Sequence, residues 1–121
     1  MSTVIATISS TATDSKAGRV GYWSVELTLV NEQGKVDTRP AAQKVLEGGI
    51  AGMTHNQAAL EGVRQVLLAL KWEGVAVQVV TNNDYVIGVL ARHWKPSRNQ
   101  ALIAEVKGLL AKHTVTFEKS A

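Results

Sequence analysis

Residues 75–86 read VAVQVVTNNDYV, and this stretch decides how the rest of the chain is interpreted. Its first seven residues are nearly all apolar, which is typical of a central strand covered on both sides. Two polar residues, Asn82 and Asn83, follow at once, and residues 83–92 are predicted to form a short helix. The stretch therefore predicts a buried strand that runs directly into a helix.

A longer helix is predicted upstream of this strand, at about residues 56–71, with Thr54 as its N-cap. Gly74 would end it. One apolar stripe at helical spacing supports this helix, and its members are Leu60, Val63, Leu67 and Leu70.

Three strands are predicted before the long helix, at residues 3–10, 20–30 and 43–51. The first two alternate between apolar and polar residues and are rich in Val, Ile and Thr, which favours strands. Residues 11–19 are small and polar and are predicted to form a loop, and residues 48–49, a Gly-Gly pair, together with Gly52 suggest a strand end or a bulge.

Downstream, Pro96 interrupts the chain, Ser97 is predicted to cap a last helix that extends to about residue 112, and a final strand follows at residues 113–118. Three leading strands predict an antiparallel meander, and strands reached through helical crossovers pair in parallel. The predicted fold class is therefore α/β, a mixed five-stranded sheet with helices in a single domain spanning residues 1–121.

Composition excludes several classes of protein. The chain has no cysteine, so disulfides, thiolate catalysis and Cys-ligated zinc are excluded together. No segment approaches the roughly 20 apolar residues of a membrane span. The first residues lack the pattern of a signal peptide, and we expect a cytoplasmic protein.

The order of elements resembles type 1 ribonuclease H, and three local stretches carry the resemblance. Residues 49–60, GIAGMTHNQAAL, look like the family segment that ends the third strand and opens the first long helix. Residues 81–86, TNNDYV, look like the family's Thr-Asp-Ser-x-Tyr-Val at the end of the fourth strand, and Gly21-Tyr22 resembles the start of its second strand. The resemblance implies a ribonuclease H-like fold without its last helix, which would begin beyond Ala121.

Members of that family cleave RNA in RNA–DNA hybrids with two divalent ions held by carboxylates. At the matching positions this chain has Ser10, Ala59 and Asn82. Hard cations need anionic oxygen ligands, so the resemblance implies that Mg²⁺ binding is lost, that no cofactor is present and that the chain is not an enzyme.

Three other carboxylates stand near these positions in the sequence and keep an alternative open. They are Asp14, Glu61 and Asp84. If they rebuilt a metal site, the chain would be a divergent metal-dependent ribonuclease H.

Part of the family's substrate-holding surface is retained at Thr54 and Asn56, while His55 replaces an Asn. A second candidate is a basic segment around an aromatic residue, a combination that can bind phosphate and stack a base, and it comprises Arg92, Trp94, Lys95 and Arg98. The alternatives are that Thr54 only caps a helix and that Trp94 only packs against the core.

The resulting hypothesis is a catalytically inactive module that binds nucleic acid. A net charge of +3 favours such a partner weakly. The alternative is a protein-interaction or homodimeric assembly module, because the strand at residues 75–80 looks apolar on both faces and the missing helix would leave one of them open.

Overall fold

The computed structural model describes residues 3–16, 18–38, 43–70, 74–95 and 98–120. The strands in these ranges are β1 (Thr3–Ser15), β2 (Gly18–Val30), β3 (Gln43–Ala51), β4 (Ala76–Thr81) and β5 (Thr114–Lys119). The helices are α1 (His55–Ala69), α2 (Asp84–Ala91) and α3 (Gln100–Leu110). Their order along the chain is the predicted one.

The strands form a mixed sheet in the order β3-β2-β1-β4-β5. Strands β1, β2 and β3 pair antiparallel, whereas β4 pairs in parallel with β1 and β5 in parallel with β4. Antiparallel neighbours can follow one another directly along the chain, whereas the parallel neighbours are reached through helices, since a parallel neighbour requires a long return path. The predicted fold class is thereby confirmed.

The first hairpin is longer than predicted. Residues 11–19 were expected to form a loop, but β1 continues to Ser15 and β2 already begins at Gly18. Thr13 pairs with Val20 across this extension. The prediction was wrong because Thr11 and Thr13, on alternate positions, favour a strand. The chain can then turn at Gly18, whose φ of +117° is accessible to glycine, without a longer polar loop.

The glycines at 48, 49 and 52 were expected to allow a strand end or a bulge. This is confirmed for Gly52, which follows the last residue of β3 with a φ of +81°, but it was wrong for the Gly48-Gly49 pair. Pairing runs unbroken through both residues, with Gly48 opposite Trp23 and Gly49 opposite Tyr22. A Cβ at either glycine would lie 2.8 Å from the ring of its partner. The two glycines therefore leave room for aromatic rings on the two faces of the sheet.

Helix α3 begins later than predicted. It starts at Gln100 after Asn99, whose φ of +62° is left-handed and which makes no side-chain cap. A residue in that conformation cannot continue a right-handed helix, so the helix cannot reach back toward Ser97. Ser97 and Pro96 themselves lie outside the described residues.

All three helices pack on one face of the sheet. Buried residues of α1, α2 and α3 join those of β1, β2 and β4 in one cluster, with Ala6, Val25, Leu60, Val79 and Val106 fully buried. No helix in the described ranges is long and apolar enough to cross a membrane.

The opposite face of the sheet, called the open face below, is covered by none of the described helices. Strand β4 points Val77, Val79 and Thr81 toward the helices, and it turns Ala76, Gln78 and Val80 outward. The outward positions beside β4 are Thr3, Ile5 and Thr7 on β1 and Thr114, Thr116 and Glu118 on β5. This face is therefore mixed in polarity, and the large apolar patch stays a prediction. The homodimer also stays a prediction.

Candidate functional site

The N-terminus of α1 is closed by a reciprocal pair of hydrogen bonds. Gln57 N donates to Thr54 Oγ1 at 3.2 Å, and Thr54 N donates to Gln57 Oε1 at 2.8 Å. This capping box satisfies two backbone groups that the helix start would leave unpaired. The prediction that Thr54 caps the helix is confirmed, and the Thr-x-x-Gln spacing is the signal that would have identified Gln57.

A second set of hydrogen bonds connects α1 to α2 through a side chain that the sequence analysis did not select. Asn83 Oδ1 accepts from Val86 N at 3.1 Å and caps α2, and Asn83 Nδ2 donates to Asn56 Oδ1 at 3.1 Å. Asn83 is only 6% exposed. The amide of Asn56 is thereby fixed beside the end of β4, while His55 next to it is exposed.

Ser10, Ala59 and Asn82, which the resemblance aligns with the carboxylates of ribonuclease H, lie near the same end of the sheet. The last parallel pair of β1 and β4 is Ile8 with Thr81, so Ser10 and Asn82 both lie just beyond it. Ser10 is half-buried, Asn82 is exposed, and Ala59 on α1 is fully buried. The side chains at these positions are neutral.

The candidate substitute carboxylates each have a cationic partner. Asp14 accepts from Arg19 at 2.9 Å. Asp84 lies 3.0 Å from Lys119 Nζ. Within the described ranges, no group of three or more His, Cys, Asp or Glu side chains comes together in a way that could hold a metal ion.

Glu61 belongs to a small network on the helix layer. Its Oε1 accepts from Arg64 at 3.0 Å and from Gln65 at 2.8 Å, and Arg64 also donates to Glu105 at 2.9 Å. The hydrogen bond to Glu105, and then the charge of Glu61, raise the pKa of the Arg64 guanidinium above its usual value. Arg64 therefore connects α1 to α3, and the Glu61 carboxylate already has two hydrogen-bond donors on its own helix.

The basic segment lies at the other end of α2. Arg92 ends the helix, and His93 reverses the chain with a φ of +56°. Trp94 then folds back, so that its backbone N donates to Gly88 O at 3.0 Å and its ring covers Gly88, where a Cβ would lie 2.1 Å from the ring. Gly88 is the signal that the sequence analysis missed.

The Trp94 ring packs on α2, but the side chain is still 46% exposed, and its role in binding nucleic acid stays a prediction. Arg92, Lys95 and Arg98 are exposed. The structure brings Arg92, Trp94 and Lys95 together at the end of α2. Asn83 caps the opposite end of this 8-residue helix.

The chain was compared with protein-family models, curated proteins and solved structures. No protein-family model matches the chain. A curated relative, the ribonuclease H of Oleidesulfovibrio alaskensis, is 33% identical over 89 residues, which are 62% of this chain and 57% of that protein. This chain thus spans little more than half the length of that relative.

Two solved structures have a fold similar to that of this chain. LC9-RNase H1, a type 1 RNase H with the type 2 active-site motif, superposes with a TM-score of 0.73 at 17% identity, covering 98% of this chain and 62% of the other. A foamy viral protease-reverse transcriptase in complex with dsDNA gives a TM-score of 0.65 at 11% identity, covering 99% and 82%.

The sheet order, the helices on one face and these matches define the class, which is the ribonuclease H-like fold. The chain therefore has a ribonuclease H-like fold, and over 89 residues its sequence is similar to that of a ribonuclease H.

Proposed function

We propose that this chain binds nucleic acid and does not cleave it. The proposal rests on two features. Ser10, Ala59 and Asn82 are neutral where the resemblance to ribonuclease H implies metal-binding carboxylates, and an exposed basic and aromatic surface lies at the end of α2. A site without anionic oxygens holds Mg²⁺ poorly, so no cofactor is expected. A cytoplasmic location and a single domain also stay predictions.

The binding surface would have two parts. Arg92, Lys95 and Arg98 supply charges for phosphates, and the exposed part of the Trp94 ring supplies a stacking surface. At the other end of α2, His55 and Asn56 offer neutral groups suited to a sugar 2′-hydroxyl.

An RNA–DNA hybrid is the first probe to test, because the related proteins are ribonucleases H. A labelled hybrid should be bound at low salt and remain intact after prolonged incubation with Mg²⁺ or Mn²⁺. Double-stranded RNA and DNA of the same sequence would show which nucleic acid is preferred.

Metal-dependent cleavage that disappears in Asp84→Asn or Glu61→Gln would contradict the proposal and identify a divergent ribonuclease H instead. The converse change, Ser10→Asp with Ala59→Glu and Asn82→Asp, should create Mg²⁺ or Mn²⁺ binding that calorimetry detects. Asn82→Asp alone is the matched control, since one added carboxylate binds hard cations weakly.

A further inference from the structure

The register of the sheet brings outward side chains into continuous rows across the open face. One row runs through all five strands in their spatial order, and its members are Val45, Glu26, Thr7, Val80 and Glu118. The next row contains Glu47, Ser24 and Ser9. Apolar, hydroxyl and carboxylate groups therefore alternate across this face.

The charges on the open face all have one sign. Glu26, Glu47 and Glu118 point outward, and the alternation of the described strands places no lysine or arginine on the same side. The side chains of Glu26 and Glu47 have no ion-pair partner in the described part of the chain, while Glu118 accepts from Gln78 at 2.6 Å. In a protein with a net charge of +3, this is a distinctly acidic surface.

A shallow groove on this face adds a specific feature. It has a volume of about 550 Å³, and Ser9, Tyr22, Ser24 and Glu47 are among the residues that line it. The Tyr22 ring lies against Gly49, and the side chain is 49% exposed. An exposed aromatic ring beside a free carboxylate can hold a lysine or arginine side chain, by an ion pair and by cation–π attraction together.

We propose that the open face docks a basic amphipathic helix of a partner protein. Lysine or arginine side chains of that helix would meet Glu26 and Glu47, and its apolar side chains would cover Val80 and Val45. A helix suits the site because helices form the second layer on a sheet face. A symmetric face-to-face dimer suits it less, because a two-fold axis would bring two acidic surfaces together.

This inference goes beyond nucleic-acid binding, and a titration with a synthetic peptide tests it. The probe is an 18-residue helical peptide of leucine and lysine at amphipathic spacing, and its counterpart has glutamate in place of lysine. Chemical shifts in the amide NMR spectrum should move at outward positions of β1, β2 and β4 with the lysine peptide only. An excess of double-stranded DNA oligonucleotide should not displace the peptide from this face.

The decisive variant is Glu26→Gln with Glu47→Gln and Glu118→Gln, which should weaken peptide binding at least tenfold. The matched control is Asp14→Asn with Asp84→Asn and Glu105→Gln, which changes the net charge equally but leaves the open face intact and should bind as the unmodified protein does. Equal weakening in both variants, or shifts confined to the helix side, would overturn the proposal. The proposal would also be overturned if the peptide did not bind at millimolar concentration. Self-association of the protein that is lost in the Glu26, Glu47 and Glu118 variant would overturn it as well.

Discussion

Helix α2 begins inside the protein and ends at its surface. At the first end Asn83 is buried, caps the helix and donates to Asn56, so that its amide groups are occupied by protein partners. At the other end Arg92 and Lys95 are exposed, and Trp94 rests on Gly88 with almost half of its side chain in solvent. Polar groups that are internally satisfied contribute to stability, whereas exposed cations contribute little to folding and remain available for a ligand.

The largest expected effect follows from this difference and concerns binding. Arg92→Ala with Lys95→Ala and Arg98→Ala should weaken binding to every nucleic-acid sequence alike. It should also reduce the slope of log affinity against log salt by about three, since each lost phosphate contact removes about one. Titrations at several salt concentrations measure both quantities.

The control for this variant removes three exposed cations elsewhere, in Lys16→Ala with Lys35→Ala and Lys44→Ala. It has the same net charge, so a purely global electrostatic effect would weaken it equally. That outcome, or an unchanged slope in the first variant, would exclude the end of α2 as the binding surface.

The sequence predicted the order of the elements well because apolar periodicity and glycine or proline breaks are local signals. The sheet and the cap at Thr54 follow from such signals. The length of the first hairpin was missed, since Thr11 and Thr13 were judged by polarity although their strand preference decided the outcome.

The contacts of the candidate site were harder to predict, because they join residues far apart in the chain. Asn83 and Asn56 are 27 positions apart, and only the parallel pairing of β1 with β4 and the packing of α1 bring them together. The burial of Gly88 under Trp94 is equally invisible to periodicity, since it depends on the reversal at His93.

The second prediction concerns stability at the buried end of α2. Asn83→Ala removes the cap and leaves the Asn56 carbonyl oxygen without its donor, so the free energy of unfolding should fall by about 2 kcal/mol. Urea unfolding followed by circular dichroism measures the loss. Asn82→Ala is the control, because Asn82 is exposed and its replacement should change stability by less than about 0.5 kcal/mol. Equal effects in the two variants would refute the assigned role of Asn83.

The smallest expected effect comes from Asn83→Asp. This variant keeps the helix cap at Val86 N but removes the N–H that Asn83 donates to Asn56. A carboxylate at position 83 still accepts from Val86 N, and a negative charge is favourable at a helix N-terminus. It cannot donate to Asn56 Oδ1, but the Asn56 amide can rotate and offer its own N–H instead. We therefore expect a loss of about 1 kcal/mol or less, smaller than for Asn83→Ala. If the two variants were equally destabilised, the cap that a carboxylate at position 83 can still form would contribute little, and the hydrogen bond to Asn56 would account for most of the loss.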